Sequence, residues 1–271
     1  MSRTPLAAAL LALAMSSVVP PALADQILLT HAKALNGTIP GDAPGYPITI
    51  KKSGSYKLDG NLKPTAGKHG IKVTAYDVTI DFAGFTLHGN NAAKTGIWGD
   101  KHSLTVKNGT ISSFTEHGMH GTGSFWMIDT MRIVGNQQNG IYATGGSWTI
   151  ANSQIVGNGQ YGILASSAGP ILIRNNIVSG NGHTGISAAK AHIESNMIAD
   201  NGYPDGFYGI ALFNGTVLGN TIVSNRSNGF YGTGGGVVGF GNNTLVENNG
   251  GGLEKEGGSA LHPNICEGLA C

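Results

Sequence analysis

Seven glycine–apolar pairs recur along the chain: Gly70-Ile71, Gly96-Ile97, Gly118-Met119, Gly140-Ile141, Gly162-Ile163, Gly185-Ile186 and Gly209-Ile210. Successive glycines stand 26, 22, 22, 22, 23 and 24 residues apart. A unit this short cannot bury a face alone, so it must stack on its neighbours, and that requirement overrides any local propensity. Within each unit the apolar residues come as short alternating sets, such as Ile141/Ala143, Trp148/Ile150 and Ile155. The alternation has the period of a strand, and no unit has the length or spacing of an amphipathic helix. The expected fold is all-β: one parallel solenoid of about eight rungs, with three parallel sheets around a narrow apolar core.

Two columns of polar residues keep the same period. One is Asn136, Asn158, Asn181, Asn201, Asn225 and Asn248; the other is Ser153, Asn176, Asn196, Asn220 and Asn243. Asparagine tolerates left-handed backbone at a tight bend, and stacked copies can hydrogen-bond along the axis. With these columns the chain resembles the right-handed parallel β-helix repeat proteins, a pectate-lyase-like superfamily that includes polysaccharide epimerases and carbohydrate-binding proteins. The resemblance runs from about Ile48 to Asn249 and implies a right-handed coil. It says little about activity, because function sits in sites grafted on the fold.

The expected organisation is a leader at 1–24, an N-terminal cap and irregular first rung at 25–69, repeats at 70–249 and a C-terminal cap at 250–271. Arg3, the Leu/Ala run Leu6–Met15 and Ala22-Leu23-Ala24 read as a secretory signal, too short to span a bilayer. The mature chain then begins at Asp25 and is exported, to the periplasm or beyond. Without Arg3 the 16 basic and 15 acidic residues become 15 and 15. So few charges leave no footprint for nucleic acid, and no later stretch is long and apolar enough for a membrane span. Cys266 and Cys271 are expected to pair in an exported protein, closing a short loop after the last rung. Leu253–Cys271 is expected to wrap over the end of the stack.

Register converts the repeat into a surface map, since residues flanking each inward position point outward. On the first sheet the position after the inward residue reads Lys72, Trp98, His120, Tyr142, Leu164, Ser187 and Ala211. The position two before it reads His69, Thr95, His117, Asn139, Tyr161, Thr184 and Tyr208. Trp98, His117, His120, Tyr142, Tyr161 and Tyr208 are the candidate ligand-binding residues. Flat rings with polar edges suit a polysaccharide, whose apolar sugar faces stack while its hydroxyls find partners. Aromatic residues also favour strands without any ligand.

The second sheet carries Asp81, Lys107, Asp129, Ala151, Arg174, Glu194 and Leu218 in one column, with His192 in the next. A lyase or epimerase reading would use Lys107, Asp129, Arg174, His192 and Glu194 to abstract a proton beside a uronate carboxyl. The alternative is a surface ladder of alternating charge. Calcium enters only with the lyase reading; otherwise no cofactor is expected. The resemblance also extends to copper-binding periplasmic proteins, but the histidines form no tight ligand motif and no metal site is expected. The Asp trio, Asp-Pro-His segment and calcium cluster of the superfamily's enzymes are missing from the sequence.

The third sheet reads as apolar outside as well as in, with Val134, Val156, Ile177, Met197, Val223 and Val246 outward and Arg132 and Gln154 the exceptions. Such a face is expected to be covered by a terminal segment or by self-association. The leading functional expectation is an exported protein that binds a cell-envelope or extracellular glycan. The alternatives are the lyase or epimerase and a structural, partner-binding solenoid.

Overall fold

The computed structural model describes residues 26–166, 169–233, 235–267 and 269–270. The expected leader at 1–24 lies outside them. The described chain coils into a right-handed parallel β-solenoid of about nine turns, one more than the repeat count suggests. Each turn places one strand in each of three sheets. The first sheet stacks Ile71 on Ile97, then Met119, Ile141, Ile163, Ile186 and Ile210, all fully buried. The second and third sheets bury Ile150, Ile173 and Ile193, and Ile155, Val178 and Ile198, in the same way.

Strands fuse where a corner is short. Leu104–Ser112 and Met127–Val134 run unbroken through the second and third sheets, and Ile186–Glu194 and Ile210–Leu218 through the first and second. The core holds Trp126 and Trp148, stacked at 4.5 Å with their planes 15° apart. Each indole nitrogen donates to a backbone carbonyl, Lys101 and Gly123 respectively, at 2.8 Å. Both therefore bury a large apolar ring without stranding its polar atom.

Both asparagine columns are continuous hydrogen-bonded ladders. Asn181 shows the unit: its Nδ2 donates to Asn201 Oδ1 at 2.9 Å and to the Ile155 carbonyl at 3.1 Å. Its own Oδ1 accepts from Asn158 N and Nδ2, each at 3.0 Å. The second ladder runs on through Asn243 to Asn264 at 3.0 Å. The ladder residues do not adopt left-handed backbone. That conformation belongs to the residue before each: Gly135, Gly157, Gly180, Asp200, Ser224 and Glu247 in the first column. The turn is made one residue early, and asparagine is needed for its side-chain amide alone. The repeat glycines follow from the same packing. A Cβ on Gly162 would stand 2.6 Å from the Gly185 carbonyl oxygen and 2.8 Å from Asn181 Nδ2.

The two ends are built differently. A helix, His31–Asn36, capped by the Thr30 side chain and ended by left-handed Gly37, sits at the N-terminal end. The preceding strand Ile27–Leu29 pairs with Tyr56–Leu58. The C-terminal segment does not fold over the end as expected. Lys255–Glu256, Ser259–Ala260 and Ile265–Cys266 extend the three sheets by one more parallel turn, and Leu269–Ala270 returns antiparallel. Buried Glu254 terminates the first ladder, accepting from Asn248 N at 3.1 Å and Nδ2 at 2.6 Å. Burial holds its carboxyl above the usual carboxylate range. Cys266 is disulfide-bonded; Cys271, its expected partner, lies outside the described residues.

The third sheet needs a correction. Ile177 and Met197 stack in a column with Arg132, Gln154, Thr221 and Thr244, while Val134, Val156 and Val223 share theirs with Ser179 and Ala199. The outer face is thus mixed rather than apolar. Among the described residues neither terminal segment covers it, for Ile177 is 40% and Met197 45% exposed.

Candidate functional site

The first-sheet face carries its side chains on three-residue strands whose outward position lines up from rung to rung. Trp98 lies opposite Lys72 and His120, and His120 opposite Tyr142. Inward isoleucines hold the strand on one side, so these side chains can only point out, and all four are half-buried. The rings crowd together. His120 and Tyr142 stack at 4.7 Å with planes 19° apart, and His117 meets Tyr142 at 5.2 Å and His120 at 5.4 Å. Lys72 Nζ sits 4.9 Å over the Trp98 ring, and His69 stacks beside it at 6.4 Å.

That stacking corrects one expectation. His120 and Tyr142 each give one ring face to the other and turn their ring edges to solvent. The column two before the inward residue is also not uniformly outward. Thr95, Asn139 and Thr184 are buried, and only the larger rings His69, His117, Tyr161 and Tyr208 reach the surface there. Small polar side chains fit beneath the corner, where Thr95 donates to Glu116 at 2.9 Å, whereas rings must turn outward.

The six expected ligand-binding residues do not form one row. Trp98, His117, His120 and Tyr142 make one cluster. Tyr208 stacks instead on Tyr231 at 4.6 Å, several rungs along. Tyr161 packs against His183, which stacks on Phe207 at 4.2 Å. Leu164, Ser187 and Ala211 separate the first cluster from Tyr231. Sequence reading missed Tyr231 although Gly229-Phe230 continues the glycine–apolar pattern and would have located it. It also missed Glu116, which has no place in either outward column.

Electrostatics mark the first cluster. Burial, reinforced by His120, pulls His117 down from its ordinary 6.5 to about 4. Burial also lowers His120 and His69, against the opposing pull of Glu116. At neutral pH these imidazoles are uncharged; His117 Nδ1 accepts from the Asn139 N–H at 3.3 Å, which leaves its Nε2–H as a donor. The folded state thus holds fewer protons than the unfolded chain once the pH drops below 6.5. The stability contributed by the neutral form is complete above that value and is lost as the pH falls towards about 4. The thermal midpoint is expected to decline over this window, and His117→Gln to flatten the decline. A melting series with the same slope in parent and variant would assign the decline to other groups.

The second-sheet candidates keep the expected register but do not converge. Lys107 pairs with Asp81 at 3.8 Å and not with Asp129, which accepts from Asn152 at 2.7 Å. Ala151 intervenes before Arg174, which joins no ion pair among the described residues. His192 binds Glu194 at 3.0 Å through Nε2 and Thr216 through Nδ1. Lys107 and Arg174 are therefore three rungs, about 14 Å, apart. Among the described residues no group of three or more His, Cys, Asp or Glu is placed to hold a metal ion, and no helix is long and apolar enough to cross a membrane.

Comparison with known proteins matches residues 117–265 to the family described as the right-handed beta helix region. Among solved structures the chain is similar to pectate lyase Pel9A, at 17% identity and TM-score 0.59, covering 78% of this chain and 66% of that one. It is similar also to the Azotobacter vinelandii mannuronan C-5 epimerase AlgE6 A-module, at 17% identity and TM-score 0.60, covering 84% and 72%. A third is the Dettilon tailspike protein, at 16% identity and TM-score 0.59, covering 82% of this chain but 54% of that one. At these identities the likeness is one of fold. The chain thus spans about two thirds of the lyase and about half of the tailspike. No curated protein matches it.

Proposed function

Since the chain belongs to the right-handed β-helix family, we propose that it is an exported polysaccharide-binding member, holding a neutral or weakly acidic glycan along its first-sheet face. The observation that carries this reading is the half-buried cluster of Trp98, His117, His120 and Tyr142, with its imidazoles kept neutral by burial. Neutral imidazoles and a phenol edge offer donors and acceptors to sugar hydroxyls without a charge to desolvate. The rungs repeat at about 4.8 Å, close to the size of a sugar ring, so one chain laid along the axis meets successive outward side chains. The face binds by its ring edges. Export rests on the Arg3 to Ala24 leader, and the near-balanced charge favours a ligand of low charge.

Binding is favoured over the lyase or epimerase reading because Lys107, Asp129, Arg174, His192 and Glu194 are dispersed. A glycan array identifies the ligand, and calorimetry then compares the parent with Trp98→Ala and Tyr142→Ala. Each variant is expected to lose about tenfold in affinity, equivalent to about 1.4 kcal/mol. Parent-like affinity in both, with folding intact, would reject the face. Ultraviolet absorbance from unsaturated uronates on incubation with the glycan would replace binding with lyase chemistry.

A further inference from the structure

One corner of the asparagine ladder departs from its neighbours. The first-ladder asparagine and the next core glycine are four positions apart at Asn136/Gly140, Asn158/Gly162, Asn181/Gly185 and Asn225/Gly229, but eight apart at Asn201/Gly209. The extra residues are Tyr203-Pro204-Asp205-Gly206. Removing them restores the short Asn-Gly-x-x-Gly corner found one rung earlier at Asn181-Gly182-His183-Thr184-Gly185. The insertion is built and anchored. Gly202 takes left-handed backbone at φ 86°, and its carbonyl accepts from Gly206 N at 2.9 Å and Phe207 N at 3.3 Å. Phe207 is pinned on His183, and its carbonyl accepts from Ser227 N at 3.0 Å.

The insertion displays Tyr203, 71% exposed, at the rim of a depression of about 510 Å³. The guanidinium of Arg226 lies over the Tyr203 ring at 5.9 Å. Asp200 and Ser224 line the floor beside the ladder. Neither Asp200 nor Arg226 joins an ion pair among the described residues. An exposed aromatic ring, an available carboxylate and an available guanidinium around a hollow of ligand size do not serve the stack itself. The short corners on either side make the same turn without them.

We propose that this corner is a second sugar-binding subsite, for a neutral pyranose residue. The sugar's apolar face rests against the exposed Tyr203 ring where it borders the depression, beside Arg226. Adjacent hydroxyls donate to the Asp200 carboxylate and accept from the Arg226 guanidinium. The paired opposite charges select a neutral sugar, because a uronate carboxylate would meet Asp200 as well as Arg226. The subsite takes its ligand class from the glycan reading above. Its residues are separate from the Trp98–Tyr142 cluster.

The test uses neutral disaccharides, too short to bridge the two places: cellobiose, mannobiose and xylobiose, followed by ligand-observed nuclear magnetic resonance and calorimetry. The proteins are the parent, Tyr203→Ala, Arg226→Gln, a chain lacking residues 203–206, and Tyr142→Ala, each verified as folded by circular dichroism. The expected result is binding of at least one disaccharide that weakens fivefold or more in Tyr203→Ala and Arg226→Gln, vanishes in the deletion, and persists in Tyr142→Ala. Loss confined to Tyr142→Ala overturns the subsite and leaves the first-sheet reading standing. Loss confined to the corner variants sustains the subsite and withdraws the short glycan from the first-sheet face. No binding of any disaccharide by the parent at millimolar concentration overturns the subsite.

Discussion

An Ile173→Asp chain fails to fold and is recovered as unfolded or aggregated protein. Ile173 is fully buried in the second sheet, between Ile150 and Ile193 on the adjacent rungs. The substitution removes a core aliphatic side chain, worth about 2–5 kcal/mol with its cavity, and leaves a carboxylate with no partner in the apolar interior. Together these rival the whole stability of an ordinary domain, about 5–15 kcal/mol. A solenoid has no way round such a break, because each rung contacts only its neighbours and the damaged rung separates the two halves. Ile177→Asp is the matched control, four residues on and 40% exposed, and is expected to shift stability by no more than about 0.5 kcal/mol. Circular dichroism and solubility decide it: a folded Ile173→Asp protein with parent-like melting would overturn the register of the whole stack.

The second large effect is in the ladder. Asn181→Ala deletes four hydrogen bonds at one buried corner: two donated by Nδ2, to Ile155 O and Asn201 Oδ1, and two accepted by Oδ1 from Asn158. The Asn158 amide N–H and the carbonyl of Ile155 lose these partners where water does not reach. At about 1–3 kcal/mol for each orphaned group, the expected loss is about 2–6 kcal/mol. The backbone is not at issue, since the left-handed residue is Gly180 and not Asn181. Asn181→Asp separates the two halves of the amide. It keeps the acceptor for Asn158 but sets a carboxylate oxygen against the Ile155 carbonyl, so it too is expected to destabilise. A denaturant titration in which Asn181→Ala matches the parent would show that the column serves only to make the turn.

Both outcomes rest on register, and register is what the amino-acid sequence by itself determined. The glycine–apolar pairs, the three inward sets per unit and the two polar columns all appear in the structure at the positions read from the repeat. The reason is translational: each rung hydrogen-bonds to a near copy of itself, so a period in sequence becomes a period in space. Identical side chains then meet one rung apart whatever the details of the corners. Columns were therefore legible, including Asp81–Lys107–Asp129 and Trp98–His120–Tyr142.

Only the tertiary structure decided what the columns present. Whether a ring shows its face or its edge depends on the side chain above and below, and His120 and Tyr142 each spend one face on the other. Whether a corner residue is in or out depends on its size against the turn, so Thr95 is buried where His117 is half-exposed. The third sheet differs from the sequence expectation because its outward apolar residues belong to two columns, each shared with polar or small side chains. Its strands enter from corners that end in different places, and pairing alone sorts Ile177 from Val156. The C-terminal turn was missed for a related reason: Lys255–Cys266 lacks the glycine–apolar signature, yet the open edge of the preceding rung supplies the template on which it pairs. Periodicity sets what lies above what; side-chain volume and the geometry of each corner set what reaches the surface, and those are properties of the assembled stack.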